Sequence, residues 1–88
     1  MDKAKILNTL QNMMVDTLHL PVLPDQLGED TYLFYEGLEL DSLDMTIFAV
    51  SIKKEFGVEM VNTDFSETST VGYVVNKIFE KQQENMYA

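Results

Sequence analysis

With 88 residues the chain holds one modest core, burying roughly 60–65% of the surface its unfolded form exposes, and residues 1–88 read as a single domain. Six Lys and Arg against fifteen Asp and Glu leave a net charge of −9, which repels nucleic acid and anionic membrane surfaces and favours basic protein partners. The absence of cysteine excludes disulfides and thiolate metal sites, and no apolar run approaches the ~20 residues of a membrane span, so a cytoplasmic monomer without stable membrane insertion is expected.

Ile6, Leu7, Leu10, Met13, Met14 and Leu18 form a helical stripe, and with Asp2 as cap they predict a first helix over residues 3–18. His19 and Pro21 end it, His19 serving as a polar or cationic cap on the last turn. A connection over residues 20–41 follows, punctuated by Pro21, Pro24, Gly28 and Gly37. A loop of that length has to pack its own side chains, and Leu23, Leu27, Tyr32, Leu33, Phe34 and Leu38 predict that it wraps across the helices. Its acidic residues 30–41 have the length of a calcium loop, but Tyr32 and Phe34 stand at ligand positions and Tyr35 where the turn needs glycine, so no metal is assigned.

In Gly37-Leu38-Glu39-Leu40-Asp41-Ser42-Leu43-Asp44 a serine sits between two aspartates where loop becomes helix. Met45, Phe48, Ala49, Ile52 and Phe56 then recur at the spacing of one buried helical face. Asp41 is the expected N-cap and Asp44 the acidic member of a capping box. Ser42 is then left free at the first helical position, at the positive end of the helix dipole, where a phosphate attached to it is favoured. Read blandly, Ser42 is a helix-start serine and no more.

Leu43, Thr46, Ile47 and Val50 lie on the opposite face of this helix. Either both faces are buried, or the outer one is a docking patch that partner enzymes grip. Glu36, Glu39, Asp41 and Asp44 would form an acidic collar at the serine end, steering basic partners. Residues 63–67 read as one short helical turn. Val71, Val74, Val75, Ile78 and Phe79 predict a last helix capped by Ser69 or Thr70; the spacing of three and four outweighs the β-branched run. The fold class expected is all-α: a small four-helix bundle of three main helices and one short one, with a long loop between the first and second.

Asp41-Ser42-Leu43-Asp44, Glu55-Phe56-Gly57-Val58-Glu59 and Thr70-Val71-Gly72, in this order and at these separations, resemble the acyl carrier protein family. The resemblance implies 4′-phosphopantetheine held covalently on Ser42 between Asp41 and Leu43. It also implies carriage of acyl groups as thioesters in fatty-acid, polyketide or related specialised lipid biosynthesis, without catalysis by the chain itself. A phosphopantetheinyl transferase using coenzyme A and Mg²⁺ would install the arm, and acyl-loading, ketosynthase or acyltransferase enzymes would dock on Glu39, Asp44, Thr46, Ile47, Val50, Lys53 and Lys54. A chain without cysteine offers no thiol to steal the thioester.

Two departures stand out. Ile47, Lys53 and Lys54 occupy outer-face positions where common fatty-acid carriers are acidic, which replaces ion pairing by apolar contact and repulsion. Leu38-Glu39-Leu40 places Gly37 two residues further back than the family's common Gly-x-Asp-Ser spacing, and both departures point to a specialised pathway. A serine hydrolase is a poor fit, because His19 is the sole histidine and the flanking glycines of a nucleophile elbow are missing. An acidic helical adaptor without prosthetic group and a D-alanyl carrier are the alternatives kept.

Overall fold

Three α-helices carry the fold: α1 (Lys3–Leu18), α2 (Ser42–Phe56) and α3 (Val71–Tyr87). The structure, a computed structural model, describes residues 2–34, 37–61, 64–66 and 69–87.

Each helix begins where its sequence offers a side-chain acceptor. The Asp2 carboxylate accepts from the Lys5 amide at 2.8 Å, and the Thr70 hydroxyl accepts from the Tyr73 amide at 3.1 Å. Thr70, not Ser69, therefore caps α3; Ser69 is buried and its hydroxyl accepts from the Ser66 amide. α1 ends at His19, whose backbone adopts the left-handed region (φ 53°) and donates to the Val15 carbonyl, and α2 ends at left-handed Gly57.

The three apolar stripes meet in one core. Ile6, Leu10, Met13 and Met14 of α1 pack with Phe48, Ile52 and Phe56 of α2 and with Val71, Val74, Val75 and Ile78 of α3. The chain's Cα radius of gyration of 12.1 Å is that of a close-packed domain of this length.

The connection from α1 to α2 contributes Leu27, Leu33 and Leu40 to the core, and holds a short 3₁₀ turn at Pro24–Gln26. Leu23 and Tyr32 depart from the expectation that they pack inward: they are 65% and 44% exposed. Tyr32 faces outward because its backbone pairs with Thr70 in an isolated antiparallel bridge while Leu33 turns in. Around that bridge the Leu33 amide donates to the Ser69 carbonyl, Val71 to Thr31 and Gly72 to Glu29. A β-carbon on Gly72 would come within 3.0 Å of the Glu29 carbonyl oxygen, which accounts for the glycine of Thr70-Val71-Gly72.

No fourth α-helix is found among the described residues. Thr63 and Glu67 of the short helix expected at 63–67 lie outside them, and between these Asp64 makes a single 3₁₀-type turn, its amide donating to the Val61 carbonyl at 2.9 Å. The Asp64 carboxylate ends that turn by accepting from the Val61 amide at 2.8 Å and pairing with Lys81 of α3 at 3.3 Å. Val61 and Asp64 thus satisfy each other, the amide of each bonding to the other residue, and close a single turn between them.

Candidate functional site

The start of α2 is set by the chain that leads into it. The Leu38 amide donates to the Tyr32 carbonyl and Leu40 to that of Leu33, so 38–40 run back along 32–33. At Gly37 this return passes so close that a β-carbon would overlap the Tyr32 carbonyl, and only glycine fits. Glu39 then takes a left-handed backbone (φ 53°), which drops Leu40 into the core and turns Asp41 outward.

Asp41, with extended backbone, forms a reciprocal box with Asp44. Its Oδ1 accepts from the Asp44 amide at 2.8 Å, while the Asp44 Oδ2 accepts from the Asp41 amide at 3.2 Å. Both carboxylates are thus occupied by the helix terminus. Ser42, the first residue of α2, is exposed; its carbonyl accepts from the Thr46 hydroxyl at 3.1 Å, and its own hydroxyl makes no bond among the described residues. The Ser42 and Leu43 amides, likewise without internal partners, are orphan donors of the helix start, beside any anion on the Ser42 oxygen.

Next to Ser42 opens a recess of about 320 Å³ lined by Phe34, Leu40, Asp41, Met45 and Phe65. The sequence signals for Phe34, Leu40 and Met45 are apolar positions on the inner side of the loop and helix. Phe65 carried no such signal; it reaches the recess through its ring contact with buried Phe48, at 6.3 Å between centroids.

Along the outer face of α2, Leu43, Ile47 and Val50 are 67%, 38% and 52% exposed, and Thr46 is exposed too. The alternative in which both faces are buried is therefore not the one adopted. The expected partner-facing residues form a strip: Glu39, Asp41 and Asp44 at the serine end, Thr46, Ile47 and Val50 along it, and Lys53 and Lys54 on the last turn, roughly 17 Å from Ser42 at the rise of an α-helix. Glu36 of the expected acidic collar lies outside the described residues. His19 closes α1 through its backbone.

An exposed hydroxyl with free amides beside it and an apolar recess fits a phosphodiester-linked arm and asks for no base. The family model described as a phosphopantetheine attachment site matches residues 8–78, from α1 into α3. Among curated relatives, the acyl carrier protein of Lactobacillus acidophilus is 28% identical over 82 residues, 93% of this chain and 99% of the relative. That of Coprothermobacter proteolyticus is 31% identical over 87 residues, covering 99% and 98%, and that of Chlamydia trachomatis serovar D is 36% identical over 67 residues, covering 69% and 87%. With a match of this extent laid over an exposed serine at a capped helix start, the chain belongs to the phosphopantetheine attachment family, as an acyl carrier protein whose 4′-phosphopantetheine is covalently held.

Proposed function

We propose that Ser42 bears the 4′-phosphopantetheine, that residues 1–88 act as one carrier domain, and that the chain shuttles acyl thioesters in fatty-acid, polyketide or related specialised lipid biosynthesis in the cytoplasm. The observation that carries this is the exposed Ser42 hydroxyl at the first position of α2, without a hydrogen bond among the described residues and heading an exposed apolar face.

The chain's part in acquiring the arm is to present an oxygen. Ser42 Oγ attacks the phosphorus of coenzyme A that bears the pantetheine, adenosine 3′,5′-bisphosphate leaves, and the serine proton passes to the phosphopantetheinyl transferase. Asp41 and Asp44 fix the backbone of the helix start, so the Ser42 side chain is presented from one place. The arm's thiol supplies the thioester chemistry. Loading, ketosynthase and acyltransferase enzymes do the catalysis, gripping Leu43, Thr46, Ile47 and Val50 while Glu39 and Asp44 steer their basic rims.

Intact mass after incubation with a promiscuous phosphopantetheinyl transferase, coenzyme A and Mg²⁺ tests this. Wild type gains a single phosphopantetheine and Ser42→Ala gains none. Modification of the alanine variant would move the site elsewhere. If circular dichroism shows both proteins folded and neither gains mass, the assignment of Ser42 fails and an adaptor role takes its place.

A further inference from the structure

The far end of α2 holds a second feature. Ala49, Val50, Lys53 and Lys54 face Glu59 and Met60 of the segment beyond Gly57 across a groove of about 380 Å³. Its floor is apolar, with Val50 half exposed, and exposed Val61 follows Met60 in the chain. Lys53 and Lys54 stand on its rim as adjacent exposed cations, and among the described residues neither has an ion-pair partner. Elsewhere Lys81 is paired with Asp64, Lys3 lies over the Phe79 ring and Lys77 over that of Tyr73. Favourable placement at a helix C-terminus accounts for either lysine singly, but not for a groove between them and the following segment.

We propose that this groove is a docking site for a partner protein presenting an aspartate or glutamate beside an aliphatic side chain. Lys53 and Lys54 outnumber the one carboxylate of the lining, Glu59, and charge complementarity to that excess selects this chemistry. The strip is negative at Glu39, Asp41 and Asp44 and positive at Lys53 and Lys54, so a matching surface is basic near Ser42 and acidic roughly 17 Å further along. A uniformly basic docking surface meets repulsion at the second end, so the two lysines select among enzymes that the acidic end alone admits. A second copy of the chain is the weaker occupant, since it brings another nine net negative charges. The proposal rests on the carrier function for its biological partner, though the binding itself does not require the arm.

The test uses two helical 14-residue peptides with a leucine face, one flanked by glutamates and the other by lysines. Each is titrated at low salt into the ¹⁵N-labelled chain, with and without phosphopantetheine on Ser42. The glutamate peptide should shift the amides of Ala49, Val50, Lys53, Lys54, Glu59 and Met60, and the double variant Lys53→Glu, Lys54→Glu should weaken that binding roughly fivefold or more. Absence of groove shifts, or shifts equally strong in the double variant, overturns the proposal. So do groove shifts that depend on protein concentration alone, which would make a second copy the occupant. The mass assay at Ser42 reads the carrier function separately, so loss of one result leaves the other standing.

Discussion

Glu39 holds a left-handed backbone conformation that glycine adopts freely and a residue with a β-carbon adopts at a cost of about 1–2 kcal/mol. The family's common Gly-x-Asp-Ser spacing puts its glycine at this position, so the turn is retained here while the residue suited to it is not. The extra freedom glycine loses on folding offsets part of the gain. Glu39→Gly should therefore raise stability by about 0.5–1 kcal/mol, or some 2–8 °C in Tm. The substitution also removes a negative charge from an acidic chain, and Glu39→Gln separates the two causes. If the backbone is responsible, calorimetry shows the rise in the glycine variant alone; an equal rise in both assigns it to charge. Retention of a strained glutamate next to Ser42 accords with its proposed place in the acidic collar, where the side chain serves partner encounter at some expense of stability.

At the scale of the helix, the Asp41–Asp44 box joins stability to presentation of Ser42. Removing the Asp41 carboxylate orphans the Asp44 amide, while the Asp44 side chain still has the backbone amide of residue 41 to accept from. Asp41→Ala should lower the urea midpoint by an amount equivalent to about 1 kcal/mol, whereas Asp41→Asn, which still caps, should stay within a few tenths. The alanine variant should also accept phosphopantetheine more slowly, since a frayed first turn no longer fixes the oxygen. A wild-type midpoint for Asp41→Ala would show that the box is not what starts α2. These caps were legible in the sequence because they are local: Asp2, Asp41 and Asp44 act within three residues of their partners. The three core stripes were legible for the same reason, as periodicity needs no knowledge of the fold. The run of 29–33 alongside 69–72 was not, because it depends on hydrogen bonds between segments some forty residues apart. That pairing is what exposes Tyr32, and residues 20–41, read by composition alone, could not show which apolar side chains would face out. The apolar outer strip of α2 could be found but not placed; periodicity gives two faces and only packing decides that Leu43, Ile47 and Val50 stay in water.

Over the whole molecule, acid acts in two opposing ways. Six cations against fifteen anions make the folded chain self-repelling near neutral pH, so protonating exposed carboxylates first relieves strain. Asp64 opposes this trend. Burial pushes its carboxyl pKa up, but the Val61 amide, the Lys81 ammonium at 3.3 Å and the more distant charge of Lys77 outweigh burial and hold it below 3.8. A carboxyl whose pKa is lowered by folding stabilises the native state above its unfolded value and loses that contribution as pH falls through the folded one. The contact matters at this scale because it fastens the segment after α2 to α3, alongside the hydrogen bond from the Gln82 side chain to the Phe56 carbonyl. Asp64→Asn keeps an oxygen for the Val61 amide and removes only the charge, so its deficit should be about 0.5–1 kcal/mol at pH 6. Denaturation of both proteins from pH 7 to 2.5 should show the two stability curves converging below pH 3.8, the shared rise from relieved repulsion cancelling in their difference. A gap that persists unchanged into strong acid would mean that Asp64 contributes through shape, and that the ion pair with Lys81 does not fasten α3 to the segment beneath it.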